Sequence, residues 1–219
     1  MEQRPKLLII AGPNGAGKTT VTSQILKHEW VEGCEYINPD FIARDKFGDW
    51  NSWEMVLKAA QFAAERREKC LENRYSLIFE TVLSAPDKID FIQRAKQQNY
   101  FIRLFFIGTD NPQINALRIA QRVMQGGHDV PIQKIISRYY KSIANCILLS
   151  QIVDRLYVYD NSVENGLTRL LFRANEGKLV KQYAPMHEWA NLIYENCNRE
   201  SKTGNLMLRR TKCNLQNKE

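Results

Sequence analysis

The stretch Leu7-Leu8-Ile9-Ile10-Ala11-Gly12-Pro13-Asn14-Gly15-Ala16-Gly17-Lys18-Thr19-Thr20 leaves few folds open. An apolar β-type run leads into Gly12, Gly17, Lys18 and Thr19, which complete the pattern G-x-x-x-x-G-K-[ST]. The helix-compatible run Val21-Thr22-Ser23-Gln24-Ile25-Leu26-Lys27 follows. Strand, glycine loop and helix in that order form a phosphate cradle. Glycines let successive backbone N–H groups turn inward where a Cβ would clash, and the helix aims its partly positive N-terminus at the same point. Gly12, Pro13, Asn14, Gly15, Ala16, Gly17, Lys18, Thr19 and Thr20 are therefore the expected nucleotide-binding set. Lys18 would bridge the β- and γ-phosphates and the Thr19 hydroxyl would ligate Mg²⁺. A plain glycine-rich turn is the competing reading, but average composition gives a chance match only about one per cent of the time in such a chain.

The rest of the chain alternates β-type and helical runs. After the first helix, which runs to about His28, Cys34–Ile37 reads as a short strand stopped by Asn38-Pro39-Asp40. A loop through Gly48-Asp49 leads to a long helix from near Ser52 to Glu72. Its expected apolar face is Trp53, Val56, Ala60, Ala63 and Cys70, and Glu65–Lys69 are read as a solvated face. Ser76–Phe79 is the third strand, ending on Glu80-Thr81, and a helix from Ser84-Ala85-Pro86-Asp87 runs to about Gln98. Tyr100–Ile107 is apolar enough for a strand buried on both faces. Helices over Ile114–Gln125 and from His128 past Leu148 flank Gly126-Gly127, which is the shape of a lid. Arg155–Tyr159 is the fifth strand; Leu167–Arg173 and Leu179–Val180 read as a hairpin before a last helix around Pro185–Asn196. The expectation is a three-layer α/β P-loop kinase fold. It has a mainly parallel five-stranded central sheet, a helical lid, and a C-terminal β-hairpin plus helix. One domain is expected over residues 1–196, with a basic tail over 197–219.

In such a sheet ligands bind beyond the carboxyl ends of the strands, and several of those ends carry polar residues. The first gives the loop, the second Asn38-Pro39-Asp40, the third Glu80-Thr81, and the fifth Asp160-Asn161-Ser162. Each is also an ordinary cap or turn residue taken alone; their convergence on one rim is the argument. Phosphoryl transfer needs a metal held by hydroxyl and carboxylate, a base for the acceptor hydroxyl, and cations on the γ-phosphate. Thr19 with Glu80 or Asp40 can hold the metal; Asp40 is favoured as the base, which leaves Glu80 to orient the metal or the acceptor. Asn38, Asp40, Glu80, Thr81 and His128 are the expected acceptor side, with Asn161 on the nucleotide side. Lys18, Arg122 and Arg138 supply positive charge, with Arg118 on the same helix as Arg122.

Charge and cysteine content set the remaining bounds. The formal charge is +7, and from Arg199 onward six basic residues stand against Glu200 and Glu219. Such a tail admits nucleic acid or acidic lipid as a partner, but a solvated terminus is its commoner meaning. Five cysteines, odd in number and without a C-x-x-C pair, read as reduced thiols of a cytoplasmic protein. No apolar run approaches a membrane span.

With these residues in hand the chain resembles the zeta-toxin family of P-loop kinases, particularly its short single-domain bacterial members. The resemblance rests on Ala11–Thr20, I-N-P-D-F-I-A at Ile37–Ala43, F-E-T-V-L-S at Phe79–Ser84, R-V-x-x-G-G-H-D-V-P at Arg122–Pro131 leading to Arg138-Tyr139, and Y-D-N-S at Tyr159–Ser162. It implies an ATP- and Mg²⁺-dependent kinase that phosphorylates the 3′-hydroxyl of the amino sugar of UDP-N-acetylglucosamine and is restrained by an antitoxin protein. It implies Asp40 as general base, Glu80 and Thr81 as part of the acceptor site, and Arg122 and Arg138 as charge-stabilising lid residues. Two departures stand out: short relatives often run R-R-R-Y where this chain has Ile136-Ser137-Arg138-Tyr139, and Glu65 sits one residue out of register for an acceptor-holding glutamate. The alternatives are a P-loop kinase acting on another nucleotide, a coenzyme or a nucleic-acid end, and an ATP-dependent switch that phosphorylates nothing. A guanine-specific switch would carry N-K-x-D after a late strand, which this sequence lacks.

Overall fold

A computed structural model describes residues 4–47, 52–125, 130–163 and 166–198. Its elements in order are β1 (Lys6–Ala11), α1 (Lys18–Ile25), β2 (Glu35–Ile37), α2 (Pro39–Phe47), α3 (Trp53–Glu72), β3 (Leu77–Thr81) and α4 (Pro86–Gln97). There follow β4 (Phe101–Gly108), α5 (Pro112–Met124), α6 (Ile132–Ser150), β5 (Arg155–Asp160), β6 (Arg169–Asn175) and β7 (Lys178–Gln182). A closing helix, α7, covers residues 191–198.

The strands form one sheet in the order β2-β3-β1-β4-β5-β6-β7. The first five are parallel, as alternating β and α runs require. The hairpin joins the same sheet, so it has seven strands rather than five. β6 pairs antiparallel with β5, from Arg155↔Asn175 to Asp160↔Arg169, and buries Leu171, Phe172 and Ala174. The edge of β5 is thereby covered, which removes a row of open backbone groups.

Residues alternate across β1 between two cores. Leu7, Ile9 and Ala11 face α3, α4, α6 and α7, where Phe79, Ile92, Cys146, Leu149 and Ile193 meet. Leu8 and Ile10 face the side of α1, with Val21, Ile25, Ile78 and Phe105. With β1 buried on both faces and flanked by β3 and β4, the loop after it opens where the strand order reverses.

Three local expectations fail. Asn38-Pro39-Asp40 opens a helix rather than a loop: the Asp40 N–H donates to the Asn38 side-chain oxygen at 2.8 Å and Pro39 takes the first helical position. Asp40 in the first turn and Arg44 and Lys46 in the last suit the helix dipole. On α3 the buried residues are Ala59, Ala63, Arg67, Cys70 and Leu71, with Ala60 exposed; the Trp53 side chain lies outside the described residues. Nor is the charged cluster on α3 simply solvated. Arg67 is buried, and that burial pulls its pKa below the usual arginine value; its guanidinium lies 5.2 Å from the Phe79 ring. Glu68 takes a two-pronged bond from Arg94 at 2.7 and 2.8 Å, joining α3 to α4.

Cys34, Cys70, Cys146 and Cys197 are free thiols, and Cys213 lies outside the described residues. Among the described residues no helix is long and apolar enough to cross a membrane. Gly126, Gly127, His128 and Asp129, and the tail from Arg199, also lie outside them.

Candidate active site

The loop from β1 to α1 turns through Gly15 (φ +77°) and Gly17 (φ +86°), a region L side chains rarely adopt. Space forbids a side chain there as well. A Cβ on Gly15 would stand 2.6 Å from the Asn115 carbonyl oxygen, and one on Gly17 would stand 2.2 Å from the Asn161 side-chain nitrogen. Gly17 begins α1 without a side-chain cap, and no acidic residue lies in the first turn, so the positive end of the helix is uncompensated. Around this cradle Gly12 N–H donates to Thr81 O (3.3 Å), Ala16 N–H to Pro13 O (3.2 Å) and Thr20 N–H to Gly17 O (3.2 Å). Lys18 Nζ donates to Gly12 O at 2.9 Å and Pro13 O at 3.1 Å. Burial drives its pKa down from 10.5 to about 8; the carboxylates of Glu80 and Asp40 oppose this and Arg122 adds to it.

The facing wall comes from β2, α2 and β3. Asn38 stands at its centre: its oxygen caps α2 at Asp40 N–H, and its amide nitrogen donates to the Tyr36 hydroxyl at 2.8 Å and to Glu80 Oε1 at 3.4 Å. Tyr36 in turn donates to Glu80 Oε1 at 2.7 Å. Burial, with Glu80 and Asp40 nearby, raises the Tyr36 pKa, so the phenol stays a donor to Glu80. Glu80 Oε2 and both Asp40 carboxylate oxygens have no hydrogen-bond partner among the described residues. The Thr81 hydroxyl accepts from Leu83 N–H at 3.0 Å, which holds the chain leaving β3 in a left-handed turn at Leu83 (φ +59°).

A cavity of about 450 Å³ joins the two walls. Asn14, Gly15, Gly17, Lys18 and Thr19 line one side; Asn38, Asp40, Glu80 and Thr81 line the other; Arg118 and Arg122 on α5 border both. The polar strand ends and the loop thus share one cleft. Arg138 is placed differently: its guanidinium reaches the loop by donating to the Asn14 side-chain oxygen at 3.3 Å. Arg118 grips the chain after β5 through Asn161 O at 2.8 Å and Val163 O at 3.3 Å. Asn161 does not line the cavity; its amide donates to Ala16 O at 2.9 Å behind the loop. Gly12, Pro13, Ala16 and Thr20 shape the loop from outside the cavity lining. His128 lies outside the described residues.

Sequence reasoning missed Tyr36 and Asn115. Tyr36 was legible, since on a strand it shares a face with Asn38 two residues on. Asn115, fully buried in the first turns of α5, carries no motif. A carboxylate–histidine group also forms at the carboxyl end of β5. There His187 Nδ1 lies 2.7 Å from Asp110 and 3.8 Å from Asp160, and the buried Asp160 Oδ1 accepts from Trp189 Nε1 at 3.0 Å and from Ser162 Oγ at 2.6 Å.

The same fold occurs in known proteins. A structure of AvrRxo1-ORF1 with AvrRxo1-ORF2 and ATP superposes with a TM-score of 0.62 at 20% identity, over 90% of this chain and 64% of that one. This chain therefore spans less than two thirds of that relative's length. The PezAT chromosomal toxin-antitoxin system of Streptococcus pneumoniae gives a TM-score of 0.57 at 18% identity, covering 100% of this chain and 89% of its own. In sequence, an uncharacterised protein of Haemophilus influenzae is 27% identical over 134 residues, which is 61% of this chain and 92% of the relative. The Zeta toxin family model matches residues 1–169, and a match over most of the chain, on residues that form both walls of the cleft, means that this protein belongs to the Zeta toxin family.

Proposed function

We propose that this protein is an ATP-dependent kinase that moves the γ-phosphate to a hydroxyl of a small molecule. The acceptor we infer is a nucleotide sugar, at the 3′-hydroxyl of the amino sugar of UDP-N-acetylglucosamine. One observation carries the reading: the glycine cradle with Lys18 and Thr19 shares a single cleft with Asp40, Glu80 and Arg122. A nucleotide held by one wall presents its terminal phosphate to whatever the other wall holds, which is the positioning that phosphoryl transfer depends on.

The residues divide the work by their surroundings. Lys18 and the uncapped start of α1 hold the phosphate chain. Mg²⁺ would be held by the Thr19 hydroxyl and the Glu80 carboxylate and would neutralise charge on the β- and γ-phosphates. Glu80 has one oxygen tied by Tyr36 and Asn38, which fixes the direction of the other. Asp40 has its backbone fixed by the cap and its carboxylate unengaged, so it is the group to take the proton from the acceptor hydroxyl. Arg122 borders the cleft and Arg138 touches the loop at Asn14; both supply cations where charge builds up. Of the structural relatives, AvrRxo1-ORF1 forms a complex with ORF2, and PezAT is a toxin-antitoxin system. On that basis we propose an antitoxin as this chain's partner.

The test is incubation with γ-labelled ATP, Mg²⁺ and UDP-N-acetylglucosamine, and in parallel with a metabolite extract. Label on the sugar supports the full reading. Label on another metabolite refutes the acceptor and keeps the kinase, and ATP hydrolysis without any labelled acceptor refutes both.

A further inference from the structure

We propose that Asn115 and Asn161 are positioning residues that aim the phosphate-binding loop by gripping its outward carbonyls; this rests on the nucleotide-binding reading above. In a trans peptide the N–H points opposite to the C=O. Asn115 Nδ2 donates to Asn14 O at 2.6 Å, which turns the N–H of Gly15 the other way, toward the cleft Gly15 lines. Asn161 Nδ2 donates to Ala16 O at 2.9 Å and does the same for the N–H of Gly17. Neither of these N–H groups has an acceptor among the described residues, so both remain donors for a phosphate oxygen. The two peptides alternate along the loop, 14–15 and 16–17, each with one asparagine behind it.

The glycines take a second meaning from this arrangement. A Cβ at Gly15 would meet the Asn115 backbone (2.6 Å to O, 3.0 Å to Cα), and one at Gly17 would meet the Asn161 amide. The loop thus lacks side chains at the places where the asparagine-bearing segments press against it.

Both amides are oriented by further partners and cannot turn over without loss. Asn115 is fully buried, and its Oδ1 accepts a short bond from the Thr109 hydroxyl, leaving Nδ2 to face Asn14. The Thr109 carbonyl accepts from Tyr139 on α6 at 2.6 Å. Asn161 Oδ1 accepts from Thr168 at 3.4 Å, while its own backbone is pinned by Gly108 O at 2.9 Å and by Arg118 at 2.8 Å. Both grips are therefore referenced to the carboxyl end of β4, at Gly108 and Thr109. The loop takes its shape from that neighbouring strand end as well as from its own sequence.

The test uses the full chain with Asn161→Asp and Asn115→Asp, which keep shape and replace the donor with an oxygen facing a carbonyl. Calorimetric titration with Mg·ADP and with pyrophosphate reads the loop, and melting of the nucleotide-free protein reads the fold. Losing one donor and gaining a repulsion is expected to weaken both ligands by about tenfold or more in each variant. Pyrophosphate, which has no base to dock, is expected to lose the same factor as ADP. A role confined to fold stability would lower the melting temperature and leave both affinities of the folded protein unchanged, and that result overturns the proposal. If buried Asn115→Asp fails to fold, the part-buried Asn161→Asp decides the question alone. Wild-type protein that binds neither ligand overturns the nucleotide reading and this inference together; variants that match a binding-competent wild type overturn this inference only.

Discussion

On the proposed reading, in which Lys18 holds the phosphate chain, its depressed pKa makes nucleotide affinity depend on pH between about 7 and 9. Burial is the main cause, pulling the ammonium from 10.5 to about 8, with Arg122 adding to it and Glu80 and Asp40 opposing. A phosphate chain selects the protonated form, so above the free-protein pKa binding must take up a proton, and affinity falls in proportion to the protonated fraction. Against the plateau at lower pH, Mg·ADP should bind about twofold more weakly at pH 8 and about elevenfold more weakly at pH 9. Calorimetry in two buffers of different ionisation enthalpy reads both the slope and the proton uptake. Lys18→Arg should flatten the profile, because a guanidinium keeps its proton throughout. The sign for stability runs the other way: without nucleotide the folded pKa lies below the unfolded one, so unfolding takes up a proton between the two and Lys18 penalises folding less as pH rises through about 8. A wild-type affinity that stays level from pH 7 to 9, or an equal slope in Lys18→Arg, would falsify the assignment of this titration to Lys18.

Asp40→Asn should cut phosphate transfer by about a hundredfold or more while leaving Mg·ADP affinity near wild type, since a lost general base costs roughly that much and the loop is untouched; transfer at the wild-type rate would remove Asp40 as base. Asn38→Ala removes the α2 cap and one bond to Glu80, and a lost cap costs about 1 kcal/mol, or a melting-temperature drop of about 2–4 °C in a chain of this size. The same variant should raise KM for the acceptor more than KM for ATP, and an equal rise in both would argue against Asn38 as the pivot of the acceptor wall. Leu71→Ala, fully inside the α3 core, should cost about 2–5 kcal/mol in denaturant unfolding yet leave the ADP affinity of the folded protein unaltered.

What could be read from the sequence was what local chemistry encodes. The apolar run of β4 and the glycine loop declare themselves because burial on two faces and phosphate contact each admit few residue types. α2 was equally encoded, by Asn38 as cap, Pro39 at the first position and Asp40 in the first turn. Reading proline only as a stop hid it, although proline starts helices as readily as it ends strands. Arg67 was illegible for a different reason: a charged residue at a core-facing phase of α3 is hidden by its neighbours Arg66 and Glu68, and only the position of Phe79 shows why it can be buried. The joining of the hairpin to the sheet depends on long-range pairing of β6 with β5, which no local pattern carries.

The cleft is built so that its two walls have different freedoms. The phosphate wall is fastened from both sides, by Thr81 O on Gly12 and by Asn115 and Asn161 on the loop carbonyls. On the facing wall Asn38 holds the Asp40 backbone through the cap and shares Glu80 Oε1 with Tyr36, while the Asp40 carboxylate itself is unengaged. The Arg122 guanidinium on α5 has no hydrogen-bond partner among the described residues, and it stands one turn beyond Arg118, which is tied to the chain after β5. On the proposed reading, Arg122 can reorient toward the transferred phosphate while the loop that would hold the nucleotide stays fixed, which is the division expected where positioning must precede transfer.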